Sequence, residues 1–220
     1  MATNYTKGLK MITTILCGLE EEANLLPKRD DIQVLFGTAR ENLDKMVARG
    51  CDQILSFGVS GGLNPKLNIG DLVIADAVVN AKETYKSWAS INNYWMARFP
   101  HSQMITEYCS GNEEASTAEE RLALFNTYKA DAIDDESIRV ARFAIVHGIP
   151  WGVIRAISDN AKTFLPAWML QATDAHGKSS FKAILEGLGH HPTEVIDLVE
   201  VGYNFERALH TLKIVSNELF

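Results

Sequence analysis

The run Val153-Ile154-Arg155-Ala156-Ile157-Ser158-Asp159 is rich in β-branched residues and stops at a Ser-Asp pair. It reads as a buried parallel strand that delivers Asp159 to its C-terminal end, where open α/β sheets bind ligands. An acid held there can protonate a leaving group, although Asp159 would also suit a helix cap or turn. A second group of acids follows a glycine in Gly18-Leu19-Glu20-Glu21-Glu22. Acids in the first turn of a helix are stabilised by its dipole. Capping accounts for two of the three and leaves the glycine unexplained. A third group is Ile133-Asp134-Asp135-Glu136-Ser137. Asp134 suits an N-cap, and three acids are more than a cap requires. A carboxylate that accepts two hydrogen bonds is suited to a vicinal diol.

The stretch Phe57-Gly58-Val59-Ser60-Gly61-Gly62-Leu63-Asn64-Pro65 follows a buried apolar run. Its glycines let the backbone approach a ligand closely and expose N–H groups. A tight structural turn would use the same residues. The spacing is not the dinucleotide fingerprint, and Asn64-Pro65 signals a turn where that motif would open a helix. Arg155 lies on the same run as Asp159 and reads as a buried partner for a carboxylate.

These groups need a frame. Segments 11–17, 32–36, 53–57, 71–79 and 151–157 read as strands. Helices are expected from about Glu20, over 41–49 with Leu43, Met46 and Val47 on one face, and over 134–147 with Ile138, Ala141, Ala144 and Ile145 buried. A helical tail follows, mainly 179–188 and 193–215. The alternation predicts a three-layer α/β/α fold around a mixed, mainly parallel sheet. One domain is expected over 1–220, with 1–10 a flexible N-terminus. The stretch 81–100 concentrates Tyr85, Trp88, Tyr94, Trp95, Met96 and Phe99. It reads either as a surface excursion packing onto the core or as the lining of an apolar pocket or partner surface.

Composition narrows the classes. The 220 residues carry a formal net charge of -7. That argues against sequence-independent nucleic-acid binding, which needs clustered Lys and Arg. Cys17, Cys51 and Cys109 are odd in number and far apart; Cys17 and Cys109 read as core thiols, and a cytoplasmic location is expected. The first ten residues lack the apolar core of a signal peptide. His190-His191 lacks further ligands at metal-binding spacing and reads as a solvated junction. No metal or organic cofactor is expected.

Taken in order, the Gly-x-Glu-Glu-Glu helix start, the Gly-x-x-Gly-Gly-Leu-x-Pro stretch with Ile69-Gly70-Asp71-Leu72-Val73, the Asp-x-Glu-Ser junction and Arg-Ala-Ile-Ser-Asp resemble the purine nucleoside phosphorylase and nucleosidase superfamily. The tail, from Asp174-Ala175-His176-Gly177-Lys178 to Arg207-Ala208-Leu209, resembles the hopanoid-associated branch, which acts on adenosylhopane. The resemblance implies that Asp159 donates to N7 of a leaving purine, with Ser158 beside it. It implies that Glu136, with Asp135 next to it, binds the ribose hydroxyls, and that Glu22 orients or deprotonates the attacking water. Gly58, Val59, Ser60 and Gly61 would lie along the sugar and the nucleophile, and Arg40 would line the ribose or phosphate pocket. Relatives are usually dimers or larger, so a homo-oligomer is expected. A lipid-linked nucleoside would bring peripheral membrane contact, with Tyr85, Trp88, Trp95, Phe164 and Trp168 as candidate channel linings.

Two positions depart from the family. Asp135 stands where it usually has Met under the ribose. Ser110-Gly111-Asn112-Glu113-Glu114-Ala115 lacks the aromatic that nucleosidases stack on the base. The implied reaction is cleavage of the N-glycosidic bond of a 5′-substituted adenine nucleoside. For Asp159 to hold a proton near neutral pH, burial or neighbouring acids must favour its neutral form. Phosphate as co-substrate would need concentrated positive charge, and 56–62 contains none, so water is the favoured nucleophile. A catalytically silent nucleoside-binding protein and a Rossmann-type nucleotide-binding domain are the other classes open to the sequence.

Overall fold

The computed structural model describes residues 11–36, 50–109, 115–163, 165 and 195–219. The expected helices over 41–49 and 179–188, the N-terminal ten residues, Arg40, Phe164, Trp168 and the His190-His191 pair lie outside the described residues.

Among the described residues eight strands form one sheet. They are β1 (Thr13–Cys17), β2 (Ile32–Phe36), β3 (Gln53–Gly62), β4 (Leu72–Val79), β5 (Thr84–Lys86), β6 (Gln103–Cys109), β7 (Ala132–Asp134) and β8 (Trp151–Asp159). The described helices are α1 (Glu20–Ala23), α2 (Ala89–Arg98), α3 (Ala118–Tyr128), α4 (Ser137–His147) and α5 (Val195–Leu219). The path runs β2-β1-β3-β7-β6-β4-β5, and β8 pairs with both β3 and β4. The strands β3, β7, β6, β4 and β8 therefore close into a ring, with β2 and β1 extending from β3 and β5 hanging on β4. Strand β3 runs parallel to β1 and β8 and antiparallel to β7.

Helices cover both faces, as the alternation predicted. On one side Ile138, Ala141 and Ala144 of α4 join Val73, Val153 and Ile157 in one apolar cluster. On the other, Phe205, Ala208, Leu209 and Leu212 of α5 and Ile91 and Trp95 of α2 join Leu55, Phe57, Ile154 and Ala156. Strand β8 is buried along its whole length, which accounts for its β-branched composition. Cys17 and Cys109 are buried and free. No described helix is long and apolar enough to cross a membrane.

Several expectations are corrected. Strand β3 does not end at Phe57. It continues through Gly62, because β8 on one edge and β7 on the other supply partners as far as Gly61 and Gly62. The Gly-rich stretch is thus strand, and the turn begins at Leu63. Asp134 ends β7, and the helix opens at Ser137. Ile145 is 49% exposed and not a core residue. The stretch 81–100 holds β5 and α2; Trp95 is in the core, while Trp88 and Tyr94 are exposed. The Trp88 N–H donates to the Trp151 carbonyl at 3.0 Å. Helix α2 therefore starts beside the N-terminal end of β8, roughly 25 Å along the strand from Asp159. Trp88 and Trp95 do not line the site below.

Candidate active site

Strand β3 is the floor of the site, and its glycines are required by what crosses them. A Cβ on Gly58 would meet the Arg155 Nη1 at 2.5 Å and would also overlap the Glu22 carboxylate. A Cβ on Gly18 would meet the Glu136 Oε1 at 2.7 Å. This explains the glycine ahead of the first acidic group. Helix α1 needs no glycine there, but the carboxylate of Glu136 lies against that backbone. Gly61 has the Asp159 Oδ1 at 3.0 Å from the position of its absent Cβ.

Two clusters flank this floor. At the Gly58 end, Glu22 is buried and accepts three backbone N–H groups: Gly18 and Leu19 at 3.0 Å each, and Val59 at 2.7 Å. Three short bonds aim both of its oxygens and fix its side chain. Burial pushes the Glu22 carboxyl up, against Arg155 and those N–H groups. Arg155 is fully buried. Its Nη2 donates to Asp134, to Ser56 Oγ at 2.8 Å and to Ser137 Oγ at 3.1 Å, and reaches Glu136 at 3.5 Å. It is a structural partner for a carboxylate, as expected, and it also stands in the site against Gly58. Burial alone would lower the Arg155 guanidinium, but Asp134, Glu136, Glu22 and Glu107 hold it above its usual range.

Glu136 retains 18% side-chain exposure. Its carboxyl is pushed up to about 8 by burial; Arg155 opposes this, and Asp134, Glu22 and Asp135 add to it. Asp135 is exposed next to it. Asp134 accepts from the Ser137 N–H, at 3.3 and 3.2 Å to its two oxygens, and so caps α4 from within β7. The fourth acid, Glu107 of β6, is fully buried and accepts the Ser60 hydroxyl. Burial, then Asp134, push its carboxyl well up. One guanidinium thus faces four buried or half-buried carboxyl groups.

At the Gly61 end, Asp159 is 7% exposed. Ser158 Oγ donates to its Oδ2 at 2.7 Å and reaches the Ser60 carbonyl at 3.3 Å. The charge facing Asp159 is not another acid. It is the guanidinium of Arg121, whose Nη1 lies 2.5 Å from Oδ1. Arg121 projects from α3 and is 1% exposed.

The register sets the distance between the clusters. Gly58 pairs with Arg155 and Gly61 with Asp159, with a bulge between Ser60 and Gly61. Three residues of strand separate the two ends, about 10 Å. The structure thus brings together Glu22, Glu136, Gly58, Val59, Ser60, Gly61, Ser158 and Asp159 along one strand. Glu107, Arg121 and the pairing of Asp134 with Arg155 carry no local sequence signal and emerge only in the fold. The stretch 56–62 contains no cation of its own, yet two buried arginines reach it from other elements, Arg155 at Ser56 and Arg121 at Gly62, each beside acids. A cleft of about 430 Å³ lined by Thr13, Gln53, Tyr94 and Trp95 lies at the opposite ends of the strands, away from these groups. Among the described residues no group of His, Cys, Asp and Glu is arranged to hold a metal ion.

The site is thus a strand floor with one acid near its tip and a cluster of acids around Arg155 behind it. The sequence model of the phosphorylase superfamily matches residues 37–111. The chain is similar in structure to the 5′-methylthioadenosine/S-adenosylhomocysteine nucleosidase of Helicobacter pylori, with 18% identity, 96% of this chain and 98% of that one covered, and a TM-score of 0.67. It is similar to the futalosine hydrolase of the same organism at 17% identity, 95% and 97% coverage and a TM-score of 0.66. The 5′-methylthioadenosine nucleosidase of Arabidopsis thaliana gives 14% identity, 94% and 95% coverage and a TM-score of 0.60. No curated protein matches the chain. At these identities the structural likeness shows the fold, which is the one these nucleosidases share. The resemblance to the superfamily read from the sequence is borne out at that level, and nothing in these comparisons singles out the hopanoid branch.

Proposed function

We propose that the protein cleaves the N-glycosidic bond of a 5′-substituted adenine nucleoside, with water as the nucleophile. One observation supports this above the others. Asp159 and the Glu22–Glu136 pair flank a single stretch of β3 about 10 Å long, comparable with the span from a purine's imidazole edge to the far hydroxyls of its ribose.

In this reading the purine N7 lies against Asp159 and the ribose hydroxyls against Glu136. The Asp159 proton passes to N7, the C1′–N9 electron pair goes to the base, and adenine leaves neutral. Positive charge grows on the ribose ring through an oxocarbenium-like state. Ribose hydroxyls donating to Glu136 favour its carboxylate; with Asp134 already balancing Arg155, that added negative charge favours the cation. Water held by Glu22 attacks C1′ and gives its proton to Glu22. General acid catalysis of this kind contributes roughly 10²–10⁴-fold.

Phosphorolysis is the second reading, because Arg155 and Arg121 both reach the floor. The Arg155 charge is already met by Asp134, and the Arg121 guanidinium is taken up by three backbone carbonyls, which leaves a site poorly suited to a further anion. The adenosylhopane substrate rests on the resemblance of the tail; the expected homo-oligomer, cytoplasmic location and membrane contact belong to the same proposal.

The test is incubation with 5′-thioadenosines and with long 5′-alkyl adenosines, with and without phosphate, following free adenine. Adenine release without phosphate is expected, reduced roughly 10²–10⁴-fold in Asp159→Asn. A strict phosphate requirement would establish phosphorolysis, and no release from any adenosine would sink the enzymatic reading. Equal rates for short and long 5′ groups would count against the hopanoid substrate.

A further inference from the structure

We propose that Arg121 is a positioning residue for the proton donor: it pins one oxygen of Asp159, presents the other to the base, and pairs with the carboxylate that remains once the proton has left. The proposal rests on the functional reading above.

Arg121 lies on the buried side of α3, three residues before the core residue Leu124. A cation on that face needs a reason, since an unpaired buried charge is costly. Its guanidinium supplies one by binding three chain segments at once. Nε donates to the Ala115 carbonyl at 2.9 Å, and Nη1 to the carbonyls of Gly62 at 3.3 Å and Asn160 at 3.1 Å. These carbonyls belong to the approach to α3, the last residue of β3 and the residue after Asp159. A neutral apolar residue could fill the volume but could not hold three carbonyls. A helix cap or surface ion pair would not demand complete burial.

The same Nη1 lies 2.5 Å from the Asp159 Oδ1. The contact is made by charge and not by an aligned hydrogen bond, since Oδ1 has no hydrogen-bond partner. Ser158 Oγ occupies Oδ2 at 2.7 Å. The two oxygens are thereby made different. Oδ1 is turned into the protein against a fixed cation, and Oδ2 has only a rotatable hydroxyl on it. A hydroxyl can swing away when a base nitrogen arrives; the guanidinium, held by three carbonyls, cannot. Oδ2 is therefore the oxygen that carries the proton to N7. As that proton moves, negative charge appears on a carboxylate already facing Arg121, so the guanidinium stabilises the product of the transfer without reorganising.

This role has a signature that a purely structural one lacks. An N7-methylated adenine nucleoside already carries the charge that protonation would supply, so its base leaves without help from Asp159. Arg121→Gln is expected to lower kcat on the ordinary adenosine by roughly 10²-fold, with KM little changed, and to leave cleavage of the N7-methylated nucleoside near the wild-type rate. Asp159→Asn is expected to show the same split. In the double variant the loss on the ordinary adenosine should not exceed that of Asp159→Asn alone, because the two residues act as one unit. Arg121→Lys, which keeps the charge but not the three-carbonyl geometry, should fall between; it makes the same comparison if Arg121→Gln fails to fold. Equal losses on both substrates, additive losses in the double variant, or unchanged kcat in Arg121→Gln would overturn the proposal while leaving the nucleosidase reading intact. A wild-type protein inactive on both substrates would overturn the nucleosidase reading itself, and this proposal with it.

Discussion

Glu136 shows most directly how burial sets chemistry here. Its carboxyl is pushed from an ordinary 4.5 up to about 8, chiefly by burial. Between those values the folded protein holds a proton that the unfolded chain has released. Stability therefore falls as pH rises from about 4.5 to about 8 and is level above, for this group. Glu22 and Glu107, raised for the same first reason, add to the trend. In Glu136→Gln, which cannot ionise, the drop in Tm between about pH 5 and about pH 8.5 should be shallower than in the wild type; thermal melts across that range measure it, and an unchanged slope would contradict the assignment. Ligand binding carries a linked expectation. In the proposed function two ribose hydroxyls donate to Glu136 and favour its carboxylate, so binding near neutral pH should release a proton and tighten as pH approaches 8. Calorimetry in buffers of different ionisation enthalpy would detect the release. Arg155 is the counterpart. Its removal strands the acids it faces, so Arg155→Leu should destabilise by about 3–5 kcal/mol, measured by denaturant unfolding.

Strand β3 translates its register into the spacing of the candidate site, and its glycines keep that register open to side chains from elsewhere. Gly58→Ala would drive a methyl group between Arg155 and Glu22. A shift of about 1 Å in such a group can cost about 10²-fold in rate. The expected outcome is a loss of that size in kcat, with far-UV circular dichroism unchanged; wild-type activity would mean that Glu22 does not act from this position. The same strand shows what the sequence could disclose. Asp159, Glu22 and Glu136 were legible because each sits at a local junction where strand or helix signals stop. The extension of β3 beyond Phe57 was not, since glycines signal a turn unless neighbouring strands pair with them, and those neighbours lie about 70 to 100 residues away in the chain. Arg121 and Glu107 were hidden for a related reason. A charge inside a helix or strand ordinarily points to solvent; only the packing of α3 and β6 against the strand ends turns these two inward.

At the level of the whole fold, layers and alternation were readable from apolar periodicity, whereas closure of the sheet was not. No local pattern announces that β8 will bind β3 on one edge and β4 on the other. Closure leaves the site strands without free edges, so their amides should open only with global unfolding. Hydrogen exchange should be slowest in β3 and β8 and faster in β2, an edge of the described sheet with mostly half-buried residues. Comparable exchange in β2 and β3 would contradict this.

The order in which those strands arrive has a cost during synthesis. Strands β3 and β4 leave the ribosome long before β8, the segment that joins them, and the nascent chain must wait with two apolar strand edges unpaired. Premature termination anywhere ahead of Trp151 would leave these edges exposed for good, and such fragments should be sticky substrates for chaperones, not smaller working domains.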